Sequence, residues 1–89
     1  MKTIYKYKIG PEGLRFRIDM PQSAQILTLK MQGDDPCIWA LVDTERAPEP
    51  RFFTIYGTGH PMPEDSGQYV GTFLIEGGIL VFHLFEDTK

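Results

Sequence analysis

The chain alternates. Leu14, Phe16, Ile18 and Met20 are separated by Arg15, Arg17 and Asp19, and Leu27, Leu29 and Met31 by Thr28, Lys30 and Gln32. Tyr5, Tyr7 and Ile9 interleave with Lys6 and Lys8 in the same way. A period of two sends successive side chains to opposite faces of a strand, so these runs read as half-buried β-strands. No window of eleven or more residues shows the 3.6-residue period of an amphipathic helix. Seven prolines and nine glycines also break the chain at intervals too short for helices. The pattern predicts strands over about 3–9, 14–20, 25–32, 37–43, 51–57, 68–75 and 79–86. Several short strands at such spacing make an all-β fold, a small antiparallel barrel or sandwich of about seven strands.

Turn chemistry fills the gaps. Pro21, Pro36, Pro61 and Pro63 are expected outside the strands, because proline removes a ladder donor. Gly33-Asp34-Asp35-Pro36 reads as a hairpin turn, and Gly77-Gly78 as a two-residue type I′ or II′ loop. The latter register sets Phe73 against Phe82, Thr72 against His83 and Leu74 against Val81. Thr44 to Pro50 reads as an acidic, proline-bearing surface loop. Gly10-Pro11-Glu12-Gly13 reads as a type I turn joining the first two strands in a hairpin. That hairpin would place Lys8 beside Arg15 and Lys6 beside Arg17 on one face, with Tyr7 and Phe16 on the other.

Two segments do not alternate. Cys37-Ile38-Trp39-Ala40-Leu41-Val42 and Ile79 to Phe85 are apolar on both faces. An antiparallel strand with one wet face should alternate, so these predict cover on both sides, by a second sheet and by a loop or another subunit. A subunit interface is the expectation, which makes the protein a homo-oligomer.

Composition agrees with a globular chain. Eighty-nine residues make one domain, 1–89, with a small core that oligomerisation would supplement. The 42% apolar content, including eleven aromatics, excludes disorder. Cys37 is the only cysteine, so an internal disulfide and a cysteine metal cluster are excluded. No stretch nears the roughly 20 apolar residues of a membrane helix, and Met1 to Ile9 is too charged for a signal peptide. A cytoplasmic location with no membrane partner is expected. Net charge is −3, unevenly spread. Residues 1–33 hold six basic groups against two acidic (+4), and residues 34–89 three against ten (−7). Overall acidity argues against nucleic-acid binding, which relies on many lysine and arginine contacts to phosphate.

Two constellations are candidates for binding. Lys6, Lys8, Arg15 and Arg17, if opposed in a hairpin, call for an anion against them, because like charges directly opposite are unfavourable. That anion is either an acidic loop of the same chain, such as Glu45 to Glu49, or an external ligand. The second is the stiff loop Tyr56-Gly57-Thr58-Gly59-His60-Pro61-Met62-Pro63, where Tyr56, Thr58 and His60 offer polar groups. It lacks the lysine, the glycine spacing and the helix of a phosphate loop. Two histidines twenty-three residues apart give no metal signature, and His83 reads as a hydrogen-bonded sheet residue. No nucleophile sits beside an evident base, so neither catalysis nor a cofactor is expected.

Pro36-Cys37-Ile38-Trp39-Ala40-Leu41-Val42-Asp43, Tyr56 to Pro61, Tyr69-Val70-Gly71-Thr72-Phe73 and Leu80 to Glu86, with Met1-Lys2-Thr3-Ile4 and Met20-Pro21, resemble an uncharacterised family of small tailed-bacteriophage and prophage proteins. The resemblance spans nearly the whole chain. It implies an accessory protein acting inside a host bacterial cell and assigns no catalytic or binding residue. The expected function is stoichiometric, non-enzymatic inhibition of a host defence protein; the alternative is sequestration of a small anionic nucleotide signal.

Overall fold

The computed structural model describes residues 1–10 and 15–88. Seven strands form: β1 (Lys2–Lys8), β2 (Arg15–Pro21), β3 (Gln25–Gln32), β4 (Asp35–Asp43), β5 (Pro48–Gly57), β6 (Gln68–Ile75) and β7 (Leu80–Glu86). They make two antiparallel sheets, β1-β4-β3 and β2-β5-β7-β6, so the fold is a sandwich and not a closed barrel. No helix among the described residues is long and apolar enough to cross a membrane.

The core lies between the sheets. From the three-stranded sheet, Ile38, Ala40 and Val42 point inward; from the other come Met20, Phe53, Ile55, Phe73 and Leu84, all buried. Phe16 stacks on Phe53 with ring centroids 5.8 Å apart. Cys37 is 2% exposed yet stands apart from this cluster, on the opposite face of β4 from Ile38. Its thiol donates to the Asp35 carbonyl at 3.5 Å.

The expected β1–β2 hairpin does not form. β1 pairs with β4, setting Lys6 opposite Trp39 and Lys8 opposite Cys37. β2 pairs with β5 in the other sheet, setting Arg15 opposite Thr54 and Arg17 opposite Phe52. The physical reason is β4. Its buried Ile38, Ala40 and Val42 belong at a sheet centre, so it takes a strand on each side, and β1 is one of them. Of the expected turn 10–13, residues 11–13 lie outside the described residues.

Prolines also enter strands more than expected. Pro36 is in β4, Pro21 ends β2, and Pro48 and Pro50 belong to β5, so the surface loop is shorter than 44–50. Hydrogen-bond parity explains the tolerance. Pro36 accepts from Ile9 just past the end of β1, and Gln22 donates to Ala47 at 2.9 Å. That phase turns the nitrogen of Pro21 to an open edge and those of Pro48 and Pro50 beyond the end of β7.

The β3–β4 loop is two residues, Gly33-Asp34, with Gly33 at φ +61°. The β6–β7 register matches the sequence reading, with Phe73 opposite Phe82 and Leu74 opposite Val81. Its loop is longer than expected: Ile75 pairs with Leu80, leaving four residues that close a 3₁₀ turn. β5 and β6 both run antiparallel to β7, which lies between them, so residues 58–67 return from one end of the sheet to the other.

Candidate functional site

Alternation in the four-stranded sheet puts Phe53, Ile55 and Leu84 inside, and Phe52, Thr54, Tyr56, His83 and Phe85 outside. Register then arranges the outer face in rows. One row is Arg15, Thr54, Phe85, Tyr69; the next is Tyr56, His83, Thr72; Val81 and Leu74 follow. Phe85 receives Tyr56 and Tyr69 edge-on, at 5.7 and 5.5 Å between centroids. The Arg15 guanidinium lies 4.1 Å from the centroid of Phe52, a cation–π contact. An outward sheet face is ordinarily polar; this one carries four aromatic rings.

His83 ties the polar groups of the face together. Its Nδ1 lies 2.9 Å from the Thr72 hydroxyl and its Nε2 lies 2.7 Å from that of Thr58. Tyr69 meets Thr72 at 2.6 Å, and Thr58 donates to the Val81 carbonyl at 3.2 Å. A hydroxyl has one proton to donate, so that last bond orders the rest. His83 Nε2–H donates to Thr58, Thr72 donates to Nδ1, and Tyr69 donates to Thr72. Every member is then satisfied, and the tautomer is assigned by this inventory.

The arrangement argues against Thr58 as a nucleophile. A general base needs a free ring nitrogen toward the hydroxyl, and here Nε2 is the donor. His60 is exposed. Its ring packs against Gly57, where a Cβ would stand 2.7 Å from Nδ1. Its backbone N–H donates to the Gly57 carbonyl at 3.1 Å. Hence a side chain at position 57 would push the exposed imidazole aside, and with Gly57 the ring packs on the strand and helps fasten the loop.

The expected basic face is divided. Lys6 and Lys8 stand on the outer side of the three-stranded sheet, Arg15 and Arg17 on the outer side of the other, so the sandwich separates the two pairs. None pairs with an acidic residue of the Glu45 to Glu49 loop. Lys6 donates to Gln32, Lys8 pairs with Asp35 at 3.4 Å, and Arg15 with Asp87 at 2.9 Å. Arg17 holds Asp19 at 2.7 and 3.0 Å. The hydrogen bond from Arg17 lowers the Asp19 carboxyl below its ordinary value. With both arginines partnered, the face offers no concentrated positive field to an anion.

Of the residues singled out from sequence, Arg15, Arg17, Tyr56 and Thr58 share this face, His60 adjoins it, and Lys6 and Lys8 do not. Phe52, Tyr69, Thr72, His83 and Phe85 were missed as members. The Gly77-Gly78 register already set His83 against Thr72; what sequence lacked was the β5–β7 pairing that brings Tyr56 and Thr58 alongside. Two cavities line Tyr56. One, of about 260 Å³, has Arg15, Phe85, Asp65 and Ser66 among its walls; the other, also about 260 Å³, has Gly57, His60 and Phe82. Both fall below the roughly 300–1,000 Å³ usual for small-molecule sites. No trio of His, Cys, Asp or Glu among the described residues could hold a metal ion.

The chain belongs to the DUF7352 family, a domain of unknown function, whose model matches residues 1–89. No curated protein and no solved structure matches it.

Proposed function

We propose that this protein acts by stoichiometric binding of a protein partner through the outer face of its four-stranded sheet, without catalysis. The observation that carries the reading is the aromatic cluster of Phe52, Tyr56, Tyr69 and Phe85, continued by Leu74, which is 49% exposed. Tyrosine and phenylalanine on a rigid sheet supply contact area at little conformational cost, and interface cores are enriched in them. The satisfied His83 network supports it, because a recognition surface gains from preorganised polar groups.

The sequence resemblance to small phage and prophage proteins supplies the setting: an accessory protein in the cytoplasm of a host bacterium, directed at a host defence protein. Sequestration of an anionic nucleotide ranks below this, since Arg15 and Arg17 already hold Asp87 and Asp19.

The test is a pair of variants, Leu74→Glu and Tyr69→Glu, read against the unaltered protein by capture from host lysate and by light scattering. The proposal expects one host protein retained near 1:1 by the parent and lost with Leu74→Glu, the melting temperature staying within a few degrees. A dimeric parent that becomes monomeric with Leu74→Glu would make the face a self-interface and overturn the reading. Inactivation of the target at sub-stoichiometric amounts would overturn it as well.

A further inference from the structure

Four strand edges bound the two sheets, and they are managed differently. β3 and β6 meet, and each carries a register irregularity against its own paired strand, between Ile26 and Thr28 along β4 and between Tyr69 and Gly71 along β7. Leu29 fills the space where a Cβ on Gly71 would stand. Those two edges cover one another.

β2 protects its own edge. The Gln22-to-Ala47 bond sets the phase of the β2–β5 ladder, so Arg15, Arg17, Asp19 and Pro21 turn their backbone outward. Arg17 and Asp19 neutralise each other there, and Pro21 has no N–H to offer.

β1 does neither. Thr44 donates to the Met1 carbonyl at 2.9 Å, and Ile9 donates to the Pro36 carbonyl at 3.0 Å. In this antiparallel register, odd residues therefore bond to β4. Lys2, Ile4, Lys6 and Lys8 turn both N–H and C=O to the open side. The same four project side chains from the sheet's outer surface, where Lys2 has no ion-pair partner among the described residues. The Lys8–Asp35 pair is itself mostly exposed. At the middle of the edge Ile4 is 54% exposed on one face and Tyr5 40% on the other. Lysines alone would guard an edge; exposed apolar side chains on both faces of its midpoint invite a strand.

A second copy does not fit antiparallel to this edge. Antiparallel self-pairing must set even residues against even ones, because only those carry free groups. Every such register overlapping four or more residues of β1 opposes two lysines, Lys2 to Lys8, Lys2 to Lys6 or Lys6 to itself, which destabilises the pairing.

We propose that the β1 edge receives an extended segment of a partner protein, added as a fourth strand to the three-stranded sheet, in which acidic and apolar residues alternate. Its carboxylates lie opposite Lys2, Lys6 and Lys8, and its apolar residues cover Tyr5 and Tyr7, as in other strand additions where backbone bonds supply affinity and alternate side chains supply choice. The edge is separate from the aromatic face, so either can fail without the other.

The probe is a capped eight-residue peptide alternating Glu and Val, compared with one alternating Lys and Val, titrated into the full chain at low salt. About tenfold tighter binding of the Glu peptide is expected from two or three complementary cross-strand pairs. Amide exchange should slow at Lys2, Ile4, Lys6 and Lys8. Ile4→Pro removes an edge donor that β4 does not use and should abolish binding. Lys6→Glu, at an exposed site that keeps the fold, should erase or reverse the charge preference. Equal affinity for the two peptides, no binding by either at millimolar concentration, or protection elsewhere than β1 would overturn the proposal.

Discussion

The two outer faces of this sandwich solve opposite problems. On the four-stranded side, most polar groups are occupied by a neighbour: Tyr69, Thr72, His83 and Thr58 form one chain, and Arg15 and Arg17 each hold an aspartate. What remains for a partner is aromatic surface of fixed shape. On the three-stranded side, Lys2, Lys6 and Lys8 reach outward with weak partners or none, and what remains is charge and unpaired backbone. A face whose polar groups are closed on themselves recognises by shape, whereas one with open groups recognises by charge and strand pairing.

The contrast can be broken from the shared core outward. Phe53 is fully buried beneath the four-stranded face and stacks on Phe16. Phe53→Ala should cost about 3–5 kcal/mol in urea unfolding and weaken both faces together. Arg51→Met comes next. Arg51 and Glu86, 18% and 19% exposed, bond at 2.6 and 2.8 Å, and Arg51 also donates to the Ala24 carbonyl. The Glu86 hydrogen bond raises the Arg51 pKa. Stranding Glu86 and that carbonyl should cost about 2–4 kcal/mol.

Two smaller changes sharpen the contrast. Thr72→Val cuts the link between Tyr69 and His83 and should cost about 1 kcal/mol. Nitrogen NMR should find the Nε2–H tautomer of His83 in the parent and a mixture in the variant, with binding at the β1 edge unaltered. Arg17→Gln releases Asp19. A carboxylate with a lowered folded pKa stabilises above its unfolded value, and that contribution is lost as pH falls through the folded one. The Asp19 carboxyl should titrate below its ordinary 3.8 in the parent and return to it in the variant, by carbon NMR. Because the pair is exposed, global stability should barely move.

Most strand positions were legible because alternation is a local signal: β3 and β6 match the sequence reading residue for residue, and β7 differs only at its start. Pairing was less so. β6–β7 could be read because one short loop joins them, whereas β1–β4 and β2–β5 join strands about thirty residues apart, and nothing local encodes the choice. The continuous apolar run of β4 was the available clue, since a central strand claims two neighbours. The candidate site shares this limit. Tyr56 and Thr58 stood out by composition, while His83, Phe85 and Phe52 joined them only once β5 lay between β2 and β7.

Cys37 gives the molecule its own clock. It is the single thiol, 2% exposed, on the outer side of β4 between Lys8 of β1 and Lys30 of β3. A thiol reagent can reach it only when its cover on the outer side of that sheet moves away, so the labelling rate reports on the three-stranded half. An occupant on the β1 edge should slow that labelling, and one on the aromatic face should leave it running at the same pace.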